Sequence, residues 1–126
     1  MKIGCGTDII EVNRIEDAIE NLGNRFIEKI FTKNEIQYCI SKNKMKYQHF
    51  AARFAAKEAI FKAISGKLED KYELTWTDVE IINDKNGRPQ VHFINYIVED
   101  KIDSIDISLS HIKEYAIANC IICFKK

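Results

Sequence analysis

The sequence predicts an α+β fold, with a mostly antiparallel sheet packed on one long buried helix. Three observations carry that expectation. First, the run Phe50–Ala63 is apolar nearly all round when wound at ~100° per residue. Phe50, Phe54, Ile60, Phe61 and Ile64 fall on one arc, and Ala52, Ala55, Ala56, Ala59 and Ala63 fall on the other. A helix without a polar side is a buried helix, and its small-residue arc admits another backbone at close range. Second, the order of signals is strand, helices, then strands, which favours α+β over alternating βαβ units. Third, Asp84-Lys85-Asn86-Gly87 is a strong turn signal between two strand-like runs.

The elements follow in order. Residues Ile3 to Thr7 read as a short strand that stops at Asp8. A helix runs from Asn13 to Leu22, with Asn13 as N-cap, Glu16 three residues later and Gly23 at its end. A second helical piece covers Arg25 to Ile30. Thr32 with Glu35 forms a capping box that starts a third, Lys33 to about Ile40. Ser41 to Lys46 is a polar, basic loop, and the long helix spans Tyr47 to Ser65 with Gly66 as its stop. After a charged loop, Leu74 to Asn83 is a strand and Arg88 to Phe93 returns antiparallel to it. Asn95 to Lys101 is a short helix. Ile105, Ile107 and Leu109 alternate with Asp106, Ser108 and Ser110, and this strand pairs with Tyr115 to Phe124 through a turn at His111-Ile112-Lys113-Glu114.

The 126 residues suit one domain, 1–126, and 46% hydrophobic content is enough for a core. One Pro and five Gly argue against a disordered segment. Nineteen basic residues against nineteen acidic ones leave no net charge, so no nucleic-acid partner is expected. No apolar run reaches the ~20 residues that span a bilayer, so no membrane partner is expected either. Met1-Lys2-Ile3-Gly4-Cys5-Gly6 is too short in apolar length for a signal peptide. Cys120 and Cys123 have a metal-like spacing, but on a strand residues three apart point to opposite faces. Cys5, Cys39, Cys120 and Cys123 therefore read as reduced thiols in a cytoplasmic protein.

The apolar helix carries Arg53, Lys57, Glu58 and Lys62, with Lys57 projecting into the aromatic arc. Charges on a buried helix must be paired or meet a metal or a charged ligand. Glu58 and Lys62 have the i, i+4 spacing of an ion pair. Alternatively, Glu58 and Asp8 are two carboxylates for a hard cation, and Mg²⁺ typically takes one or two such groups with waters and substrate phosphates. Lys62 would then face a phosphate. Arg53 either snorkels to the domain edge or adds a second cation. Lys42, Lys44 and Lys46 are either a solvated loop or a basic patch for a phosphorylated ligand. His111, at a strand end beside Ser108 and Ser110, is either structural or a ligand contact. No Gly-rich phosphate loop and no Ser-His-Asp arrangement is evident.

Gly6-Thr7-Asp8-Ile9-Ile10-Glu11-Val12, Arg53-Phe54-Ala55-Ala56-Lys57-Glu58-Ala59, and Ile107-Ser108-Leu109-Ser110-His111 with Tyr115-Ala116 together resemble the holo-[acyl-carrier-protein] synthases, the small class of 4′-phosphopantetheinyl transferases. Trp76-Thr77-Asp78 and Asn86-Gly87-Arg88-Pro89 fit as well, so the resemblance runs over essentially the whole length. It implies a 4′-phosphopantetheinyl transferase-like fold. The implied reaction moves phosphopantetheine from coenzyme A to a serine of apo acyl carrier protein and releases 3′,5′-ADP, in fatty acid biosynthesis. It implies Mg²⁺ on Asp8 and Glu58, with Lys62 neutralising charge that grows on the phosphates. Arg53, Lys44, Lys46 and His111 would contact the nucleotide phosphates, and a metal-bound water or Glu58 would be the base. A homotrimer with active sites between protomers is implied, as are Arg14, Arg25 and Phe26 as the docking residues for the acidic carrier protein. The chain departs from the family's pattern at Ser65-Gly66-Lys67-Leu68, where a Gly-Thr-Gly-like segment is usual, and at Met45, where a third cation is common. Two other classes fit the residue pattern without the resemblance. One is a different Mg²⁺-dependent phosphotransferase acting on a nucleotide; the other is a non-catalytic oligomeric domain whose helix charges pair only between subunits.

Overall fold

The computed structural model describes residues 2–68, 74–94 and 96–126. The first strand, β1 (Lys2–Glu11), is longer than the sequence pattern suggests and does not stop at Asp8. It continues because the last strand offers a partner along its whole length, with Asp8 opposite Ala118 and Glu11 opposite Tyr115. β1 runs directly into α1 (Val12–Leu22). Asn13 is inside that helix, and Glu11 takes the cap position with no side-chain cap bond. The Val12 N–H donates to the Glu114 carbonyl at 2.9 Å, so a neighbouring turn satisfies the first of the amides that the helix leaves without an internal partner.

Gly23, at φ 61°, ends α1 as expected and donates its N–H to the Ile19 carbonyl. α2 (Asn24–Ile30) and α3 (Lys33–Ile40) follow. The Thr32–Glu35 capping box forms in full: the Glu35 N–H donates to the Thr32 hydroxyl at 3.3 Å, and the Thr32 N–H donates to Glu35 Oε1 at 2.8 Å. A 3₁₀ turn over Asn43–Met45 leads into α4 (Lys46–Ile64), the long helix. A further 3₁₀ turn, Ser65–Lys67, carries the chain past Gly66. Residues 69–73 of the expected charged loop lie outside the described residues.

The strand expected from Leu74 begins later, as β2 (Val79–Asn83). Trp76–Asp78 forms a 3₁₀ turn instead, because the Asp78 carboxylate takes hydrogen bonds from the Thr75 N–H at 2.9 Å and from its hydroxyl at 3.0 Å. Asp84 Oδ1 accepts from the Asn86 and Arg88 amides, and Gly87 adopts φ 83°, which closes the expected turn into β3 (Pro89–Phe93). α5 (Tyr96–Glu99) lies within the expected 95–101 helix, whose first residue is outside the described set. β4 (Ile102–His111) and β5 (Tyr115–Phe124) form the expected hairpin.

All pairings are antiparallel, but they make two sheets: β1-β5-β4, with β5 central, and the β2–β3 ribbon. α4 lies on the three-stranded sheet, and the alanine arc meets β1 as its small side chains allow. A Cβ added at Gly4 or Gly6 would stand 2.0 Å from the carbonyl oxygen of Ala63 or Ala59, so only glycine fits under the helix there. β5 buries Ala116, Ala118, Cys120, Ile122 and Phe124 and turns its alternate residues outward. Cys120 is accordingly buried, its thiol pushed up to about 12 by burial, while Cys123 is on the other face; all four cysteines are free thiols.

Candidate active site

Alternation along β1 points Gly4, Gly6 and Asp8 to the same face, the one that α4 covers. The glycines bring the strand close enough for Asp8 to reach the helix one turn above Ala59. There Lys62 Nζ donates to Asp8 Oδ1 at 3.1 Å and to the Thr7 carbonyl at 2.9 Å. The alternative of a Glu58–Lys62 pair within the helix is not what forms; Lys62 pairs with Asp8 across elements. Glu58 stays beside them without a salt bridge among the described residues. Burial, followed by the nearby Asp8 charge, pushes the Glu58 carboxyl above its ordinary range, and Lys62 offsets part of this. Asp8 and Glu58 line a cavity of about 330 Å³ with Glu11, Arg14, Phe54 and Tyr115.

Two carboxylates with one lysine suit a hard cation that draws its remaining ligands from water and a phosphorylated substrate. Among the described residues no group of three or more His, Cys, Asp or Glu could hold a metal alone. Asp8 and Glu58 could hold such a cation only with further ligands from water or a bound phosphate.

Lys57, the neighbour of Glu58, has the opposite surroundings. It is fully buried and donates to Glu35 Oε1 at 2.7 Å, to the Ile30 carbonyl at 2.7 Å and to the Trp76 carbonyl at 3.0 Å. Burial pulls its pKa below the usual lysine range while Glu35 acts to raise it. Three acceptors for three N–H bonds hold the ammonium form. Glu35 also accepts from the Ile81 amide at 2.8 Å, so this pair ties α3, α4 and β2 together. Its sequence signal was limited to the capping box.

The other cationic residues gather elsewhere. Arg53 and Glu58 are about 140° apart around the helix at ~100° per residue. Arg53 is buried, its guanidinium lies 4.0 Å from the centre of the Tyr38 ring, and its Nε is the one buried side-chain polar atom among the described residues with no hydrogen-bond partner. It does not snorkel. It lines a cavity of about 420 Å³ with Asn34, Tyr38, Lys42, Asn83 and Asp84. His111 reaches the same neighbourhood through a line of rings: Arg53 on Tyr38, Tyr38 edge-on to His49 at 5.5 Å, and His49 edge-on to His111 at 5.0 Å. Lys44 is exposed in the 3₁₀ turn, and Lys46 Nζ lies 5.1 Å from the centre of the Tyr47 ring.

The described chain thus holds two clusters: Asp8, Glu58 and Lys62 on one side of α4, and Arg53 and His111 on another. Sequence reasoning missed Tyr38, Gln48 and His49, although the i, i+4 spacing of His49 and Arg53 placed them on one helix face. Of the expected docking residues, Arg14 lines the carboxylate cavity and lies 3.9 Å from Glu11, Arg25 is exposed, and Phe26 is half-buried against the α1–α2 core.

Residues 4–120 match the family model described as the 4′-phosphopantetheinyl transferase superfamily. The chain is 45% identical over 126 residues to the holo-[acyl-carrier-protein] synthase of Ruminiclostridium cellulolyticum, covering 97% of this chain and 92% of that protein. It is similar in structure to the Bacillus anthracis holo-(acyl-carrier-protein) synthase in complex with CoA (3′,5′-ADP), at TM-score 0.78 and 34% identity over 94% of each chain. It is also similar to the Helicobacter pylori holo-[acyl-carrier-protein] synthase in complex with coenzyme A, at TM-score 0.82 and 28% identity over 94% of this chain and 99% of that one.

Proposed function

The chain belongs to the 4′-phosphopantetheinyl transferase superfamily, and from that membership we propose the reaction it carries out. It transfers 4′-phosphopantetheine from coenzyme A to a serine of apo acyl carrier protein and releases 3′,5′-ADP. The serine oxygen forms a bond to the β-phosphorus of coenzyme A, the bond from that phosphorus to the bridging oxygen of 3′,5′-ADP breaks, and the serine proton passes to a base, a water or Glu58. The observation that supports this reading most is the meeting of Asp8 and Glu58 at the wall of one cavity, with Lys62 bonded to Asp8.

Asp8 and Glu58 would hold Mg²⁺, which when bound supplies charge neutralisation and polarisation to a pyrophosphate. Lys62, half-exposed and tethered to Asp8 and the Thr7 carbonyl, carries an ammonium at the same place and offsets negative charge that grows on the phosphates. Arg53, whose buried Nε lacks a partner, and His111 contact the nucleotide phosphates, with Lys44 and Lys46 beside them. Arg14, Arg25 and Phe26 dock the acidic carrier protein.

The separation of the two clusters around α4 supports a homotrimer whose active sites lie between protomers, one supplying the carboxylates and the next the cations. The outward face of β1 and β5 supports it too: Ile9 pairs with Ile117 and Cys5 with Ile121, and Ile9 and Ile121 are 63% and 53% exposed. No described helix is long and apolar enough to cross a membrane. A cytoplasmic place in fatty acid biosynthesis follows from the carrier-protein substrate.

The test is the intact mass of an apo acyl carrier protein after incubation with this protein, coenzyme A and Mg²⁺, with and without EDTA. A gain of one phosphopantetheine group, abolished by EDTA, is expected. No gain with folded protein and several carriers would overturn the reading. Light scattering should give three times the chain mass, and a monomer at micromolar concentration would overturn the shared site.

A further inference from the structure

His111 has a second neighbour besides His49. Its Nδ1 lies 2.9 Å from the side-chain oxygen of Gln48, one residue before His49 on α4. An amide oxygen only accepts hydrogen bonds, so a ring nitrogen bonded to it must carry the proton. The other nitrogen, Nε2, is engaged by no hydrogen bond among the described residues. Around the ring, His49 presents an aromatic edge, and behind it stand Tyr38, Arg53 and Lys42. From β5, the residue paired with His111 is Ala116, which brings no charge.

We propose that Gln48 is a positioning residue: its carbonyl keeps the proton on His111 Nδ1, so that Nε2 is the nitrogen offered to a phosphate. In a histidine, the hydrogen bond made by one ring nitrogen decides which tautomer the other presents. A phosphate oxygen also only accepts. With Nδ1 already committed, His111 therefore binds a phosphate through Nε2 only as the doubly protonated, cationic ring, and Gln48 stabilises that form as well. His49 completes the arrangement as a wall. Burial, the adjacent His111, Arg53 and Lys42 lower its pKa to about 4, so it stays neutral and does not compete for the anion. The inference rests on the reading of His111 as a phosphate contact.

The test separates the two. ¹⁵N NMR of the ring nitrogens, on the full chain without ligand, should find neutral His111 as the Nδ1–H tautomer. Gln48→Leu should move it to Nε2–H, and Gln48→Glu, which keeps an acceptor, should retain Nδ1–H. An Nε2–H tautomer in the unmodified protein would mean that the amide nitrogen faces the ring, and would overturn the proposal. Loss of one charge-supporting hydrogen bond should weaken 3′,5′-ADP binding about fivefold to tenfold in Gln48→Leu, raising the KM for coenzyme A with little change in kcat. In a His111→Ala background the same substitution should have no further effect; a full additive loss would overturn the route through His111. Unchanged 3′,5′-ADP affinity in His111→Ala, with the Nδ1–H tautomer observed, would overturn the phosphate contact and confine Gln48 to holding the ring.

Discussion

Lys57 and Glu58 are neighbours in sequence and opposites in circumstance. Lys57 is sealed in the core with an acceptor for each of its three protons. Glu58, half-buried one position on, has a second carboxylate beside it and no ion-pair partner of its own among the described residues. A buried charge whose hydrogen bonds are all met is part of the architecture. A charge left with a like neighbour, at the wall of a cavity, raises the free energy of the empty fold and gains from a cation. Arg53, with one buried N–H unpartnered, belongs with Glu58 in this respect and not with Lys57.

The sharpest way to break this contrast is to truncate each charge and measure both stability and turnover. Lys57→Ala strands the Glu35 carboxylate in the core and should cost roughly 3–5 kcal/mol in urea unfolding. A loss below about 1 kcal/mol would mean that the pair is not structural. Asp8→Ala and Glu58→Ala should keep the fold and lose activity by roughly 100-fold or more, about 2.7 kcal/mol in the barrier. A fully active variant at either position would remove that residue from the proposed metal site. Thr32→Ala should cost about 1–2 kcal/mol, since the hydroxyl caps α3 and also donates to the Glu80 carboxylate. Unchanged stability would leave the capping box without weight.

The smallest effect is a pH dependence with a definite sign. The Glu58 carboxyl is raised in the folded state, so the unfolded chain gives up this proton first as pH rises. Its unfavourable contribution is absent well below the ordinary glutamate value of 4.5. It grows as pH climbs from there through the raised folded value, and persists above it. Glu58→Gln should therefore be more stable than the unmodified chain at neutral pH, with the difference fading toward pH 4 in metal-free buffer. Mg²⁺ should narrow the neutral-pH difference by favouring the ionised carboxylate. A Gln variant less stable at neutral pH would reverse the assignment of strain to Glu58.

Much of this was legible in the chain. The alanine arc announced a close backbone neighbour, and β1 occupies that place with Gly4 and Gly6 beneath Ala63 and Ala59. The Thr32–Glu35 box, the Asp84–Gly87 turn and the β4–β5 hairpin are local patterns, fixed by hydrogen bonds within a few residues, and all three form. Where local signals competed with distant partners, the sequence misled. β1 runs on past Asp8 because β5 pairs with it, and α1 starts at Val12, ahead of Asn13, where the Glu114 carbonyl from the far end of the chain accepts from the first helical amide.

The sequence by itself determined the kinds of groups available: one carboxylate on the first strand and, on the long helix, a second carboxylate, a lysine one turn away and an arginine on another side. Only the tertiary structure decided their partners. Helical spacing alone allowed Lys62 to pair with Glu58, and it pairs with Asp8, some fifty residues away. Glu35 reads as a cap and also neutralises Lys57; Gln48 carries no signal and bonds the ring of His111. Side-chain periodicity fixes the direction in which a charge points, while the free energy of burying it depends on whatever the rest of the chain brings to that place.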